Sequence, residues 1–218
     1  MIIPLMNSLK KMILKLIILS GIIFCLGGVS CSLVNSLTPV KRAVAVQPLE
    51  KEEYDVLSAF LNQQEKNLSD SLIILLDKTI ENIPVSYAGY DVGVMIKYSV
   101  TEKYPTALNA LRNLEARINY PDPVERLFSI DKKYKLISEP YFKSFFNTSR
   151  SKAWQNFRAE NEDVARVYGF SRVGFNTKRN VAIFYQETTG YESSGNFQVF
   201  VKEGISWRFI DSFGGYET

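Results

Sequence analysis

The chain has no histidine, and its two cysteines, Cys25 and Cys31, both fall in the first 31 of 218 residues. Without histidine there are no Ser-His or Cys-His dyads and no histidine-ligated zinc, and the side chain best suited to proton transfer near neutral pH is missing. With no cysteine from residue 32 onward, the folded part can form neither an internal disulfide nor a thiolate metal site. Glycine-rich phosphate loops are missing too, as are the alternating oxygen ligands of a calcium loop. An excess of basic charge is also lacking. The net charge is +3, but three of the 26 basic residues (Lys10, Lys11 and Lys15) and none of the 23 acids lie in residues 1–30, which leaves 23 of each beyond them. Binding by phosphate neutralisation needs a basic surface, so nucleic acid is not an expected partner. No cofactor motif is found, and the lack of histidine, of cysteine in the folded part and of a catalytic motif weighs against an enzyme.

Apolar material is plentiful. Hydrophobic residues make up 46% of the chain and aromatic residues 13%, enough for a packed core. The length suits one domain plus a processed segment. At the N-terminus, Lys10, Lys11 and Lys15 precede an apolar stretch from Leu16 to Val29, and the small residues Gly27, Gly28 and Ser30 precede Cys31. Basic, then apolar, then small is the layout of a secretory signal peptide. The apolar stretch after Lys15 is shorter than the about 20 residues that span a bilayer.

Gly28-Val29-Ser30-Cys31 resembles the lipobox of bacterial lipoproteins. In that family the cysteine thiol takes a diacylglyceryl group, and cleavage makes the cysteine the new N-terminus. The resemblance implies a lipidated Cys31, and two acyl chains give stable membrane attachment where one gives only marginal binding. Ser32, standing where an Asp would favour the inner membrane, implies the outer membrane in a cell that has one. Gly28 occupies a position where the family carries a leucine-like residue. Gly28-x-Ser30 also meets the small-x-small rule of ordinary secretory cleavage. A secreted or periplasmic protein, or a retained membrane anchor, is therefore the alternative. The sequence divides into a signal peptide (1–30), a lipidated cysteine and polar tether with Pro39 and Pro48 (31–49), and a single domain (50–218).

Within the domain, Tyr54, Leu57, Phe60 and Leu61 mark a helix over 50–64, with acids at its start. The run LIILLDKT (72–79) predicts a buried strand. Val92, Val94 and Ile96 alternate, but glycines interrupt them. Pro105 opens a helix through Arg117, with Leu108, Leu111 and Leu114 on one face. A strand is expected over 133–137, a Ser138-capped helix through Phe146, and a helical piece over 151–161. Four strands follow, at 166–175, 180–188, 195–203 and 206–213, separated by turn residues. Helices first and strands later predict an α+β fold, with N-terminal helices packed on a C-terminal antiparallel β-meander of about four strands.

Trp154-x-x-Phe157, the run Ser171-Arg172-Val173-Gly174-Phe175-Asn176, the strand Val181–Tyr185 and Trp207 resemble a group of exported bacterial proteins. That group carries an SRVGFN-type motif, then a hairpin and a strand bearing tryptophan. The resemblance covers roughly residues 50–213 and is strongest over 154–210. It implies the same fold and an extracytoplasmic location, and no chemistry.

Candidate sites are few. Ser149-x-x-Lys152 fits a serine–lysine nucleophile pattern, but Ser129–Lys132 and Ser8–Lys11 fit it equally, so the pattern carries no weight. Arg172 could face an anionic ligand. The competing reading is a structural ion pair with a neighbouring carboxylate, such as Glu187 or Asp211, because a partly buried guanidinium needs one. In a continuous strand, Ser171, Val173 and Phe175 would share one face, and Phe170, Arg172 and Gly174 the other. Gly174 there suggests a bulge or a close packing contact. The acids Glu160, Glu162, Asp163, Glu187, Glu192 and Asp211 show no spacing that marks a catalytic pair. Trp154, Phe157, Tyr168 and Phe170 read as core. The expected function is that of an envelope lipoprotein whose domain binds an envelope protein or a small apolar or anionic ligand. The alternative is a carboxylate-dependent hydrolase of envelope polymers.

Overall fold

The computed structural model describes residues 47–64, 72–80, 86–87, 90–91, 105–118, 121–162, 164–190 and 193–217. The expected signal peptide, Cys31, the expected tether through residue 46 and the alternation at Val92, Val94 and Ile96 lie outside the described residues. The chain runs α1 (Lys51–Gln64), β1 (Leu72–Leu76), β2 (Ser86–Tyr87), β3 (Tyr90–Asp91), α2 (Ala107–Glu115), β4 (Tyr134–Ile137), α3 (Glu139–Ser144), a 3-10 turn (Phe145–Asn147), α4 (Arg150–Glu160), β5 (Val164–Phe170), β6 (Gly174–Phe175), β7 (Val181–Thr189), β8 (Ser194–Glu203) and β9 (Ser206–Glu217).

The fold is α+β. The expected four-stranded meander is only part of a larger sheet. Seven strands run in the order β4-β1-β5-β7-β8-β9, with β6 also on β7. Strand β1 is parallel to both β4 and β5, and the remaining pairs are antiparallel, so the sheet is mixed. Nor are the helices confined to the N-terminal side, since α3 and α4 fall between β4 and β5. The physical reason is visible in β1. Its run LIILL does not alternate because both of its faces are covered. Ile73 and Leu75 join the cluster around Tyr54, Leu57, Phe60 and Leu61 of α1. Ile74 joins Phe142, Trp154 and Phe157 from α3 and α4. The same division holds along β7, where Ala182 and Phe184 face α1 while Val181, Ile183 and Tyr185 pack on Ala107, Ala110, Leu111 and Leu114 of α2. Helix α1 covers one face of the sheet; α2, α3 and α4 cover the other.

Local chemistry accounts for the helix starts. Ser138 accepts a hydrogen bond from the Tyr141 N–H, and Pro140 sits in the first turn of α3. At α1, Glu53 reaches back to accept from the Glu50 N–H at 2.8 Å, half of a capping box. The expected strand over 166–175 is interrupted. Strand β5 ends at Phe170, residues 171–173 leave the ladder, and β6 resumes at Gly174. The break undoes the predicted alternation, because Phe170, Val173 and Phe175 all enter the α1-side cluster.

Candidate functional site

The six residues Ser171 to Asn176 are all buried, and each is tied to a different part of the fold. The Ser171 hydroxyl accepts from the Tyr185 N–H at 2.8 Å and donates to the Arg172 carbonyl, which supports the break. Arg172 is only 3% exposed. Its Nε and Nη2 donate to the two Glu53 oxygens at 3.0 and 2.6 Å, and its Nη1 donates to Asp122 Oδ2 at 2.8 Å and to the Gln47 carbonyl at 2.9 Å. Val173 donates its N–H to Glu53 and takes Arg117 on its carbonyl. Gly174 lies directly against α2. A Cβ there would stand 2.2 Å from the Ala110 carbonyl oxygen and 2.5 Å from the Leu114 nitrogen, so only glycine fits. The Phe175 N–H donates to Asn113 Oδ1 at 3.0 Å. Asn176 Oδ1 accepts from the Asn180 and Val181 N–H groups and closes the turn into β7.

The arginine's partners are therefore Glu53 and Asp122, not Glu187 or Asp211. Both come from segments far from it in sequence, α1 and the loop after α2. Glu53, with no exposure at all, also receives Arg117 at 3.0 Å. Burial acts to lower the Arg172 pKa, but the Glu53 charge and the hydrogen bonds to Glu53 and Asp122 outweigh it and hold the guanidinium above its usual value. Outward from this core, Arg179 pairs with Glu50 and Glu52, and Lys202 pairs with Glu52. Arg179 stacks on Phe175 with its guanidinium 4.2 Å from the ring centre, and Lys202 stands over Trp207 at 5.3 Å. Burial acts to raise the Glu52 pKa, but hydrogen bonds from Lys202 and Arg179 prevail and lower it. This arrangement joins α1, the 121–124 loop, α2 and the C-terminal hairpin. Its charges are satisfied internally, and it offers Arg172 no open face toward a ligand.

The other sequence candidates scatter. Ser149 and Lys152 are exposed at the start of α4. Tyr141 donates its hydroxyl to Glu160, and Glu162 is exposed; Asp163 and Glu192 lie outside the described residues. Glu187 and Asp211 are half-buried at separate places in the sheet. Trp154, Phe157, Tyr168 and Phe170 are core. Among the described residues, no three acids, cysteines or histidines meet as metal ligands.

Sequence reasoning missed a cleft of about 410 Å³ where α3, the 3-10 turn and the start of α4 meet the sheet. Leu76, Phe142 and Phe146 supply its apolar wall; Arg150, Glu187, Thr189 and Ser193 supply polar groups. Arg150 is hydrogen-bonded to the Ser193 hydroxyl. Glu139 and Lys143, paired across one helical turn, complete the rim. The i, i+4 spacing of Phe142 and Phe146 was the available signal, but it reads equally as core. A second open recess, of about 470 Å³, lies between α2 and the turn that follows β6. No family model, curated protein or solved structure matches the chain.

Proposed function

We propose that the chain is an envelope lipoprotein, exported, cut before Cys31 and held at a membrane through lipid on Cys31, with its folded domain acting as a binding module. The GVSC lipobox resemblance and the basic-apolar-small leader support the anchor. The resemblance of residues 154–210 to exported bacterial proteins supports the location, with the outer membrane the site in a cell that has one.

One observation carries the binding reading. The 410 Å³ cleft joins an apolar wall to a few convergent polar groups, the usual make-up of a small-molecule site. Its occupant is a small molecule with an apolar body and polar ends. An envelope protein is a weaker choice. Leu127 and Ile205, the large apolar side chains exposed among the described residues, lie in different loops. The hydrolase alternative rests on Glu139 and Glu187 lining this same cleft. Glu139 is neutralised by Lys143 and neither acid is buried, which favours binding over catalysis.

Two experiments test this reading. Metabolic labelling with a palmitate analogue should mark the parent and not Cys31→Ala; equal labelling would remove the anchor. The neutral apolar fluorophore N-phenylnaphthylamine should brighten on binding the parent. Thr148→Trp, which fills the cleft from an exposed position on its rim, should abolish that signal. An unchanged signal would place the dye elsewhere and overturn the cleft.

A further inference from the structure

The recess between α2 and the turn after β6 is independent of the cleft, and its lining is chemically one-sided. Asn109, Arg112 and Asn113 stand at i, i+3 and i+4 on the outer face of α2, opposite the buried Ala110, Leu111 and Leu114. Thr177 and Arg179 face them from the turn. Among the described residues, no carboxylate lines the recess. Asn113 spends its side-chain oxygen on the Phe175 N–H, which leaves its amide NH₂ as the available group. Arg112 has no ion-pair partner among the described residues, and the Asn109 amide and the Thr177 hydroxyl make no side-chain hydrogen bond among them.

Arg179 is held in the left-handed region, with φ at 51°, where glycine would sit without cost and arginine does not. Its pairs with Glu50 and Glu52 and its stacking on Phe175 keep it there, and they fix the guanidinium at the edge of the recess. The two acids offset the Arg179 charge, so among the described residues Arg112 is the cation of the site without an ion-pair partner. Donors converging from a helix on one side and a turn on the other suit an acceptor whose oxygens point several ways. A fork of guanidinium donors is the strongest protein partner for such a group.

We propose that this recess binds a phosphate group, with Arg112 as its principal ligand and the Asn109, Asn113, Thr177 and Arg179 donors completing the shell. That chemistry could come from free phosphate or from the phosphodiester of a lipid headgroup.

Full-length protein in a non-ionic detergent is titrated calorimetrically with inorganic phosphate and, separately, with glycerol 3-phosphate as the headgroup fragment. Saturable binding of at least one probe is expected. Arg112→Ala should weaken it about tenfold or more, as loss of a charge-assisted pair requires. Lys178→Ala, exposed in the same turn but outside the lining, should leave it unchanged. Tighter binding of inorganic phosphate identifies a free anion, and tighter binding of glycerol 3-phosphate identifies an esterified one. Arg112 is exposed, so its variant should keep the parent's circular dichroism and melting temperature; Thr177→Ala, exposed as well, gives a second variant with the same expected direction. Failure of both probes to bind, or binding equal in Arg112→Ala and the parent, would overturn the proposal.

Discussion

Replacing Arg172 by methionine should cost far more than loss of a surface arginine. The side chain is 3% exposed, and its guanidinium spends four hydrogen bonds on Glu53, Asp122 and the Gln47 carbonyl. Methionine fills much of the same space but leaves two buried carboxylates behind. Glu53 keeps Arg117, which reaches it from a partly exposed position, but Asp122 keeps no cation among the described residues. Breaking a buried pair from one side costs about 3–5 kcal/mol, a large part of the roughly 5–15 kcal/mol that holds a domain folded. Urea unfolding followed by the fluorescence of the buried Trp154 and Trp207 measures it. Urea is preferred to guanidinium because it does not screen charge. The triple variant Glu53→Gln, Arg172→Met, Asp122→Asn removes both signs together and should recover much of the loss. A loss at neutral pH below about 1 kcal/mol, the size of a solvated surface pair, would refute the reasoning and return Arg172 to the pool of ligand-facing residues.

Two further outcomes follow from the same geometry. Gly174→Ala should destabilise by about 1–3 kcal/mol through overpacking against the α2 backbone. Gly169→Ala should cost less, since its Cβ would meet the movable end of Ile80 at 3.1 Å; thermal melts of the pair would show the order, and a reversed order would contradict the packing. For Glu52, the folded-state pKa lies below its ordinary value of 4.5, because hydrogen bonds from Lys202 and Arg179 overcome the opposing effect of burial. Its contribution is therefore present above pH 4.5 and is lost as pH falls through the folded-state value. The urea midpoint, followed from neutral pH down to about 3, should fall less steeply in Glu52→Gln than in the parent.

Much of the local structure could be read from neighbouring residues. The helix over 50–64 and the Ser138 cap depend on spacing and on end chemistry within a few positions; the helix expected from Pro105 through Arg117 is present but shorter, starting after Thr106 and ending at Glu115. The C-terminal hairpins announce themselves through turn residues between β-branched and aromatic runs. The parallel pairing of β1 with β4 and β5 left no such mark, because each pair closes across a long connection. LIILL looks the same whether it is a lone buried strand or the inner member of a mixed sheet. Strand β5 was read too long for a similar reason. The sequence Phe170–Phe175 continues the strand composition, and only contacts to Tyr185, Glu53 and α2 lift Ser171 to Val173 off the ladder.

The candidate sites divide the same way. That Arg172 needed a carboxylate followed from the cost of burying a bare guanidinium, and the absence of histidine, with both cysteines in the first 31 residues, ruled out histidine and thiolate chemistry in the folded part. Which carboxylate it took did not follow. Glu53 is 119 residues away and Asp122 is 50, and nothing local distinguishes them from Glu187 or Asp211. The cleft and the donor-lined recess are concavities made by elements that meet only once the sheet has closed. Spacing along the chain carries the periodicity of each element, because backbone geometry is local. It carries no record of which elements become neighbours, because burial and charge pairing are settled among all the surfaces the folded chain brings together.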